Sequence, residues 1–172
     1  MFNLGFNQKT NQMRKLFSCV VLFALGAFVY AQGPNPSNEE AEAHIKQVIE
    51  TFFEGFHEQD STIIKSTVAD EIVLQTTGRN PEGKTLFRTE EFSKFLKSIV
   101  GIPETVKFEE KLTSFSIQVD RTMANAWVGY EFWLNGEFSH CGINSFQLIN
   151  FDGEWKIIYL IDTRGKEGCM IE

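Results

Sequence analysis

Two dipeptides, Asn135-Gly136 and Asp152-Gly153, constrain this 172-residue chain more than anything else in it. Each lies between runs of alternating apolar and polar residues. Asn-Gly and Asp-Gly suit two-residue hairpin turns, whose central positions need a positive φ. They predict three consecutive antiparallel strands, over residues 123–134, 137–150 and 155–163. Residues 106–119 show the same alternation and add one long strand, with room for a bulge, ahead of them. Four long strands in a row form a sheet with one apolar face, and that face must be covered.

The cover comes earlier in the chain. Asn38-Glu39-Glu40 supplies a capping residue and then acids where the helix dipole favours them. Ile45, Val48, Ile49, Phe52, Phe53 and Phe56 follow at spacings of three and four, which predicts one apolar helix face running to about Glu58. Asp60-Ser61 caps a second, short helix with Ile63 and Ile64. Residues 71–77 read as a strand. A loop with Gly78, Asn80, Pro81 and Gly83 follows. Thr89-Glu90-Glu91 opens a third helix with Phe92, Phe95, Leu96 and Ile99, and Gly101 and Pro103 stop it. Helices followed by a run of strands define an α+β class, with three N-terminal helices packed on one face of a curved antiparallel sheet.

The first 31 residues read as an address rather than as structure. Arg14-Lys15 precedes an apolar run over 16–28, and Val29-Tyr30-Ala31 puts small residues at the −3 and −1 positions of a cut before Gln32. The run is shorter than the ~20 residues of a membrane-spanning helix. A start at Met13 gives the more usual signal. The expectation is a signal peptide over 1–31, a flexible leader over 32–40, one domain over 41–165 and a tail over 166–172. The product is then exported, periplasmic or secreted, with no membrane span once the signal is cut.

Net charge is −7, with 16 Lys and Arg against 23 Asp and Glu. Three of the basic residues and no acid lie before residue 32, so the body is more acidic than the whole. Nothing supplies the basic stripe that phosphates need, which argues against a nucleic-acid partner. Cys19 leaves with the signal. Cys141 and Cys169 remain, and two readings stay open: a bridge formed after export, or a buried thiol and a separate one on the tail. There is no CxxC and no HExxH, and His44, His57 and His140 are scattered, so neither metal nor cofactor is expected.

The hairpins also set an expected register. Uninterrupted pairing from Asn135-Gly136 puts Trp133 opposite Phe138, Glu131 opposite His140 and Trp127 opposite Asn144. From Asp152-Gly153 it puts Leu148 opposite Ile157, Phe146 opposite Tyr159 and Asn144 opposite Ile161. Paired residues share a face. Trp127, Glu131, His140, Asn144 and Tyr159 then fall on the more aromatic face, taken as concave. Tyr130, Phe132, Asp162 and Arg164 fall on the other. On this register Glu131 orients His140 and raises its basicity, making it a general base or acid. Asn144 and Tyr159 hold a ligand oxygen. The competing reading of Glu131 and His140 is a surface pair worth ~0.2–1 kcal/mol. Asp162 and Arg164, two residues apart, either pair or present a guanidinium fork to an anionic ligand.

Several segments resemble the NTF2-like superfamily, also called SnoaL-like or cystatin-like cone folds. They are residues 45–60, Ala124-Asn125-Ala126-Trp127-Val128, and Asn144-Ser145-Phe146-Gln147-Leu148 leading into Asp152-Gly153-Glu154-Trp155-Lys156-Ile157. The last looks most like the lumazine-binding branch, whose final hairpin carries a Gly-x-Trp-Lys-Ile segment. The resemblance covers about residues 41–165. It implies a cone, with a pocket open at one end, and homodimers through the outer sheet face. It does not imply one activity. Isomerase-like members use a tyrosine and a protonated acid, and the first helix here has phenylalanines instead. Dehydratase-like members use His with Asp, and His140 and Asp162 fall on opposite faces in the expected register. Three functions follow, in order: binding of a small, partly aromatic molecule in the cone; a lyase or isomerase using His140; and an interaction module with a filled cone.

Overall fold

The computed structural model describes residues 38–169. The expected signal segment, residues 32–37 of the expected leader and residues 170–172 lie outside them, while residues 38–40 of that leader belong to the first helix.

Helix α1 spans Asn38–His57 and buries Ala41, Ile45, Ile49, Phe52 and Phe53, the apolar stripe read from the spacing. Helix α2, Ser61–Thr67, is capped by Asp60, whose carboxylate accepts from the N–H groups of Thr62 at 2.7 Å and Ile63 at 3.3 Å. The corner between them is tight. A Cβ on Gly55 would lie 2.9 Å from the Ile63 side chain. Gln59 takes a positive φ of 57° there, and its amide donates to the carbonyls of Ile99 and Ile102, both at 2.8 Å. Those bonds tie the corner to the end of helix α3, Phe92–Val100, and hold α3 over the sheet.

The strands are β1 Val68–Arg79, β2 Thr85–Glu90, β3 Phe108–Asp120, β4 Met123–Leu134, β5 Glu137–Phe151 and β6 Glu154–Thr163. They form one six-stranded sheet in the order β2-β1-β6-β5-β4-β3. The sheet is mixed rather than wholly antiparallel, because β6 returns beside β1 and runs parallel to it. Strand β2 stands where a loop and the start of the third helix were expected. It is an edge strand with only Glu90 partly buried, so it carries no alternation of apolar residues to be read.

Both hairpin turns form as expected, with Asn135, Gly136, Asp152 and Gly153 all at positive φ. The register beyond them does not hold. Trp133 faces Phe138, but Phe132, not Glu131, faces His140, because Ser139 is an extra residue on β5. Leu148 faces Ile157, but Gln147, not Phe146, faces Tyr159, because Ile158 is an extra residue on β6. Each bulge flips everything past it to the opposite face. The concave face therefore carries Val128, Tyr130 and Phe132 from β4, with Leu160 and Asp162 from β6. Trp127, Glu131 and Tyr159 are convex.

The core lies between α1 and the centre of the sheet. Phe52, Ile45, Ile49, Ile64, Phe146, Leu148, Ile157 and Val128 are its largest fully buried members. Beyond it, beneath α3, the cone is hollow, with residues of every strand from β2 to β3 lining the space.

Candidate functional site

The hollow is a cavity of about 370 Å³ between α1, α3 and the concave face of the sheet. The 3–4 spacing of α1 points Phe52, Phe53 and Phe56 into it. Phe95 and Ile99 enter from α3, and Phe108 and Phe132 from the sheet. These rings pack on one another: Phe56 meets Phe108 edge-on at 5.1 Å between centroids and stacks on Phe95 at 6.4 Å. One end of the cavity is thus a wall of aromatic carbon.

The other end is polar. Glu110 of β3, Asn144 of β5 and Asp162 of β6 line it together, with His140 and Tyr130 beside them and Arg164 following β6. Asn144 is only 3% exposed, and its amide donates to Glu110 at 2.7 Å. Burial pushes the Glu110 carboxyl up from 4.5 to about 7, helped by the charge of Asp162 and opposed by the Asn144 bond and Arg164. Near neutral pH it is a carboxyl poised between its two forms. Asp162 accepts from the Nε of Arg164 at 2.7 Å. Burial works to lower the Arg164 value, but the hydrogen bond and charge of Asp162 more than offset it, so the guanidinium is held charged.

Tyr130 donates its hydroxyl to the carbonyl of Thr163 at 2.8 Å. Burial, then the carboxylates of Asp162 and Glu110, push its value up, so it stays neutral. His140 stacks on Phe132 at 5.0 Å and meets Tyr130 edge-on at 5.8 Å. Its Nδ1 lies 3.1 Å from the Ser139 hydroxyl. Burial lowers the His140 value, with the charges of Arg164 and Lys166 acting the same way against Asp162. The ring is therefore uncharged at pH 7, the reverse of the basic histidine expected from a Glu131 partner.

The sequence candidates separate cleanly. His140, Asn144, Asp162 and Arg164 meet in the cavity. Glu131 pairs with Cys141 across the strands, and its carboxylate accepts from the indole of Trp133 at 3.0 Å. Trp127 is 52% exposed on the convex face. Tyr159 donates to Gln75 on that same side. Glu110 was not foreseen. Its signal was available: it stands in phase with Phe108 and Leu112, an acid on the apolar repeat of a strand.

The tail is fastened beside this polar end. Cys141 and Cys169 form a disulfide, and Cys141 and Gly165 exchange two backbone hydrogen bonds, both 3.0 Å. Gly142 lets the tail pass. A Cβ there would lie 1.8 Å from the carbonyl oxygen of Thr163 and 2.9 Å from the Tyr130 ring. Arg164 is thus held between two strands, its own N–H donating to the carbonyl of Thr77 and the next residue, Gly165, bonded to Cys141. Among the described residues, no group of three or more His, Cys, Asp or Glu is placed to hold a metal ion. No helix among them is long and apolar enough to cross a membrane.

No family model and no curated protein matches the chain. Solved structures do. An NTF2-like protein of unknown function from Shewanella baltica is 16% identical, with a TM-score of 0.56 over 77% of this chain and 100% of its own. An NTF2-like superfamily protein from Salmonella enterica is 16% identical, with a TM-score of 0.58 over 79% of this chain and 99% of its own. A protein of unknown function with a cystatin-like fold from Nostoc punctiforme is 12% identical, with a TM-score of 0.59 over 76% and 95%. At such identities the likeness is one of fold. The domain has the NTF2-like, cystatin-like α+β fold, and its activity has to be argued from its own site.

Proposed function

We propose that this chain binds a small, largely apolar and partly aromatic molecule in the cone. The observation that carries this is the cavity: one end aromatic, the other polar, at a volume within the ~300–1,000 Å³ typical of small-molecule sites. The aromatic end supplies area for affinity. The polar end supplies a few hydrogen bonds that fix orientation. A cone packed solid would favour an interaction module, and the hollow favours a ligand.

Ser98 gives a direct test. It lines the cavity from an exposed position on α3, so Ser98→Trp fills the space without disturbing the core. An environment-sensitive naphthalene dye is expected to bind the full chain saturably, and the variant is expected to lose that binding. Absence of saturable binding, or equal binding by the variant, would overturn the reading.

A second reading rests on Glu110. A carboxyl titrating near 7 in a partly closed cavity is suited to proton transfer, which makes a lyase or isomerase the enzymatic alternative. Glu110 is the better base than His140, whose ring meets the Ser139 hydroxyl and, among the described residues, has no hydrogen bond to a carboxylate. Glu110→Gln would abolish turnover of a bound substrate while keeping its binding. Unchanged turnover removes the alternative.

The chain is further proposed to act after export, as a homodimer through the convex face. The address-like pattern over residues 14–31 and the Cys141–Cys169 bridge support the first point. The exposed Trp127 on that face supports the second. A mature N-terminus at Gln32 and a dimer mass in sedimentation are the expected results.

A further inference from the structure

We propose that the molecule taken by the cone is a carboxylate on an aromatic or otherwise flat apolar body, with its anionic group held by Arg164 and Arg88. This rests on the reading of the cavity as a ligand site and adds the charge and class of the ligand.

The placement of the two guanidinium groups carries it. Arg164 commits only its Nε to Asp162, at 2.7 Å, so its two terminal nitrogens remain to donate. Its side chain is 55% exposed, at the rim of the cavity rather than within the protein. Its backbone is fixed by the N–H donated to Thr77 at 3.3 Å and by the neighbouring Gly165–Cys141 bonds. A fork already oriented by one carboxylate is organised to receive a second planar anion. Arg88 lines the same cavity from β2: it pairs with Thr76 of β1, which pairs with Asp162 of β6, so it stands two strands from Asp162 on the same face, and its side chain has no ion-pair or hydrogen-bond partner among the described residues.

The three acids on the same wall do not make it a cation site. Asp162 is already answered by Arg164. Glu110 is hydrogen-bonded by Asn144 and driven toward its neutral form, in which it donates. Glu90 stands apart on β2, and among the described residues the three acids form no cluster placed to hold a metal ion. What remains to donate is the terminal nitrogens of Arg164, the guanidinium of Arg88 and the neutral Glu110 carboxyl, facing a ring-lined floor. A carboxylate brings only acceptors, and a flat body fits the floor.

The test uses three probes on one ring system: naphthoate, naphthamide and naphthylmethylamine, titrated into the full chain by calorimetry at pH 6. Naphthoate is expected to bind about tenfold or more tighter than the amide, as charge-assisted hydrogen bonds require. Arg164→Gln is expected to erase that preference while leaving amide binding in place. Arg88→Gln, at an exposed and unpaired position, is expected to lower naphthoate affinity severalfold and serves where Arg164→Gln fails to fold. Equal binding of acid and amide, tightest binding of the amine, or an Arg88→Gln variant with unchanged selectivity would overturn the carboxylate inference and leave the cone as a ligand site. Saturable binding of none of the three, together with failure of the dye test, would overturn both.

Discussion

The base and the mouth of the cone are built from the same strands but solve opposite problems. At the base, Phe146, Leu148 and Ile157 of β5 and β6 meet Phe52 and Ile49 of α1 with no exposed surface or nearly none. At the mouth, the continuations of those strands carry His140, Asn144, Asp162 and Arg164 around open space. The base removes apolar area from water and stabilises the fold. The mouth gathers ionisable groups in a place that strips their solvation, which costs stability. The contrast teaches that this sheet keeps its function where its packing is incomplete, and leans on the base to hold the mouth open.

The largest effect should come from breaking the base. Phe146 touches the rings of Phe52 and Phe53, at 6.5 and 6.3 Å between centroids, and is fully buried. Phe146→Ala is expected to destabilise the domain by about 3–5 kcal/mol, read as a fall in the urea midpoint. A loss under about 1 kcal/mol would mean that the base is not where the stability resides.

The disulfide comes next and belongs to the mouth. It closes a loop with a sequence separation of 28 residues, for which loss of the cross-link should cost about 3–4 kcal/mol. A Cys141→Ser, Cys169→Ser double variant is expected to show that loss in denaturant. It should also weaken naphthoate binding, because Arg164 sits between the strand and the fastened tail. Lost stability with intact binding would separate the bridge from the site.

Glu110 sharpens the comparison through pH. Its folded value of about 7 lies above the ordinary 4.5. Below about pH 4 both states hold the proton and the site carries no penalty. As pH rises from 4.5 toward 7 the unfolded chain releases the proton first, so stability falls, by up to about 3 kcal/mol, and stays low above 7. Glu110→Gln keeps an acceptor for Asn144 and removes the titration. It is expected to match the wild type at pH 4 and exceed it at pH 8. Parallel stability curves across that range would show that the carboxyl is not held neutral by burial.

What was legible in the sequence follows the same division. The α1 stripe from Ile45 to Phe56, the Asp60 cap and both hairpin turns have local causes, namely spacing, a side-chain acceptor and positive φ, and each stands where its residues put it. The concave positions of β5, including His140 and Asn144, follow from the same alternation. The faces of Glu131, Trp127 and Tyr159 were not legible. They depend on Ser139 and Ile158 bulging out of the ladder, and nothing in those two residues announces a bulge. Strand β2 was hidden because an exposed edge has no apolar period to display. Glu110 was overlooked because a long strand read only for its apolar residues hides the one acid in phase with them.

The smallest effect should come from the face that the expected register wrongly turned inward. Trp127 is opposite Ser145 on the convex side, half exposed, with no hydrogen bond from its indole among the described residues. Had it been concave, its replacement would have emptied the pocket and cost as much as Phe146. On the convex face, Trp127→Ser should change monomer stability by no more than about 0.5 kcal/mol, the range of ordinary surface substitutions. Naphthoate affinity should be unchanged. If the convex face joins two copies, the same variant lowers the sedimentation mass while leaving the cavity as it was. A stability loss comparable to that of Phe146→Ala, measured on the monomer, would instead return Trp127 to the core. It would mean that the Ser139 bulge is absent and that the uninterrupted hairpin register is the true one.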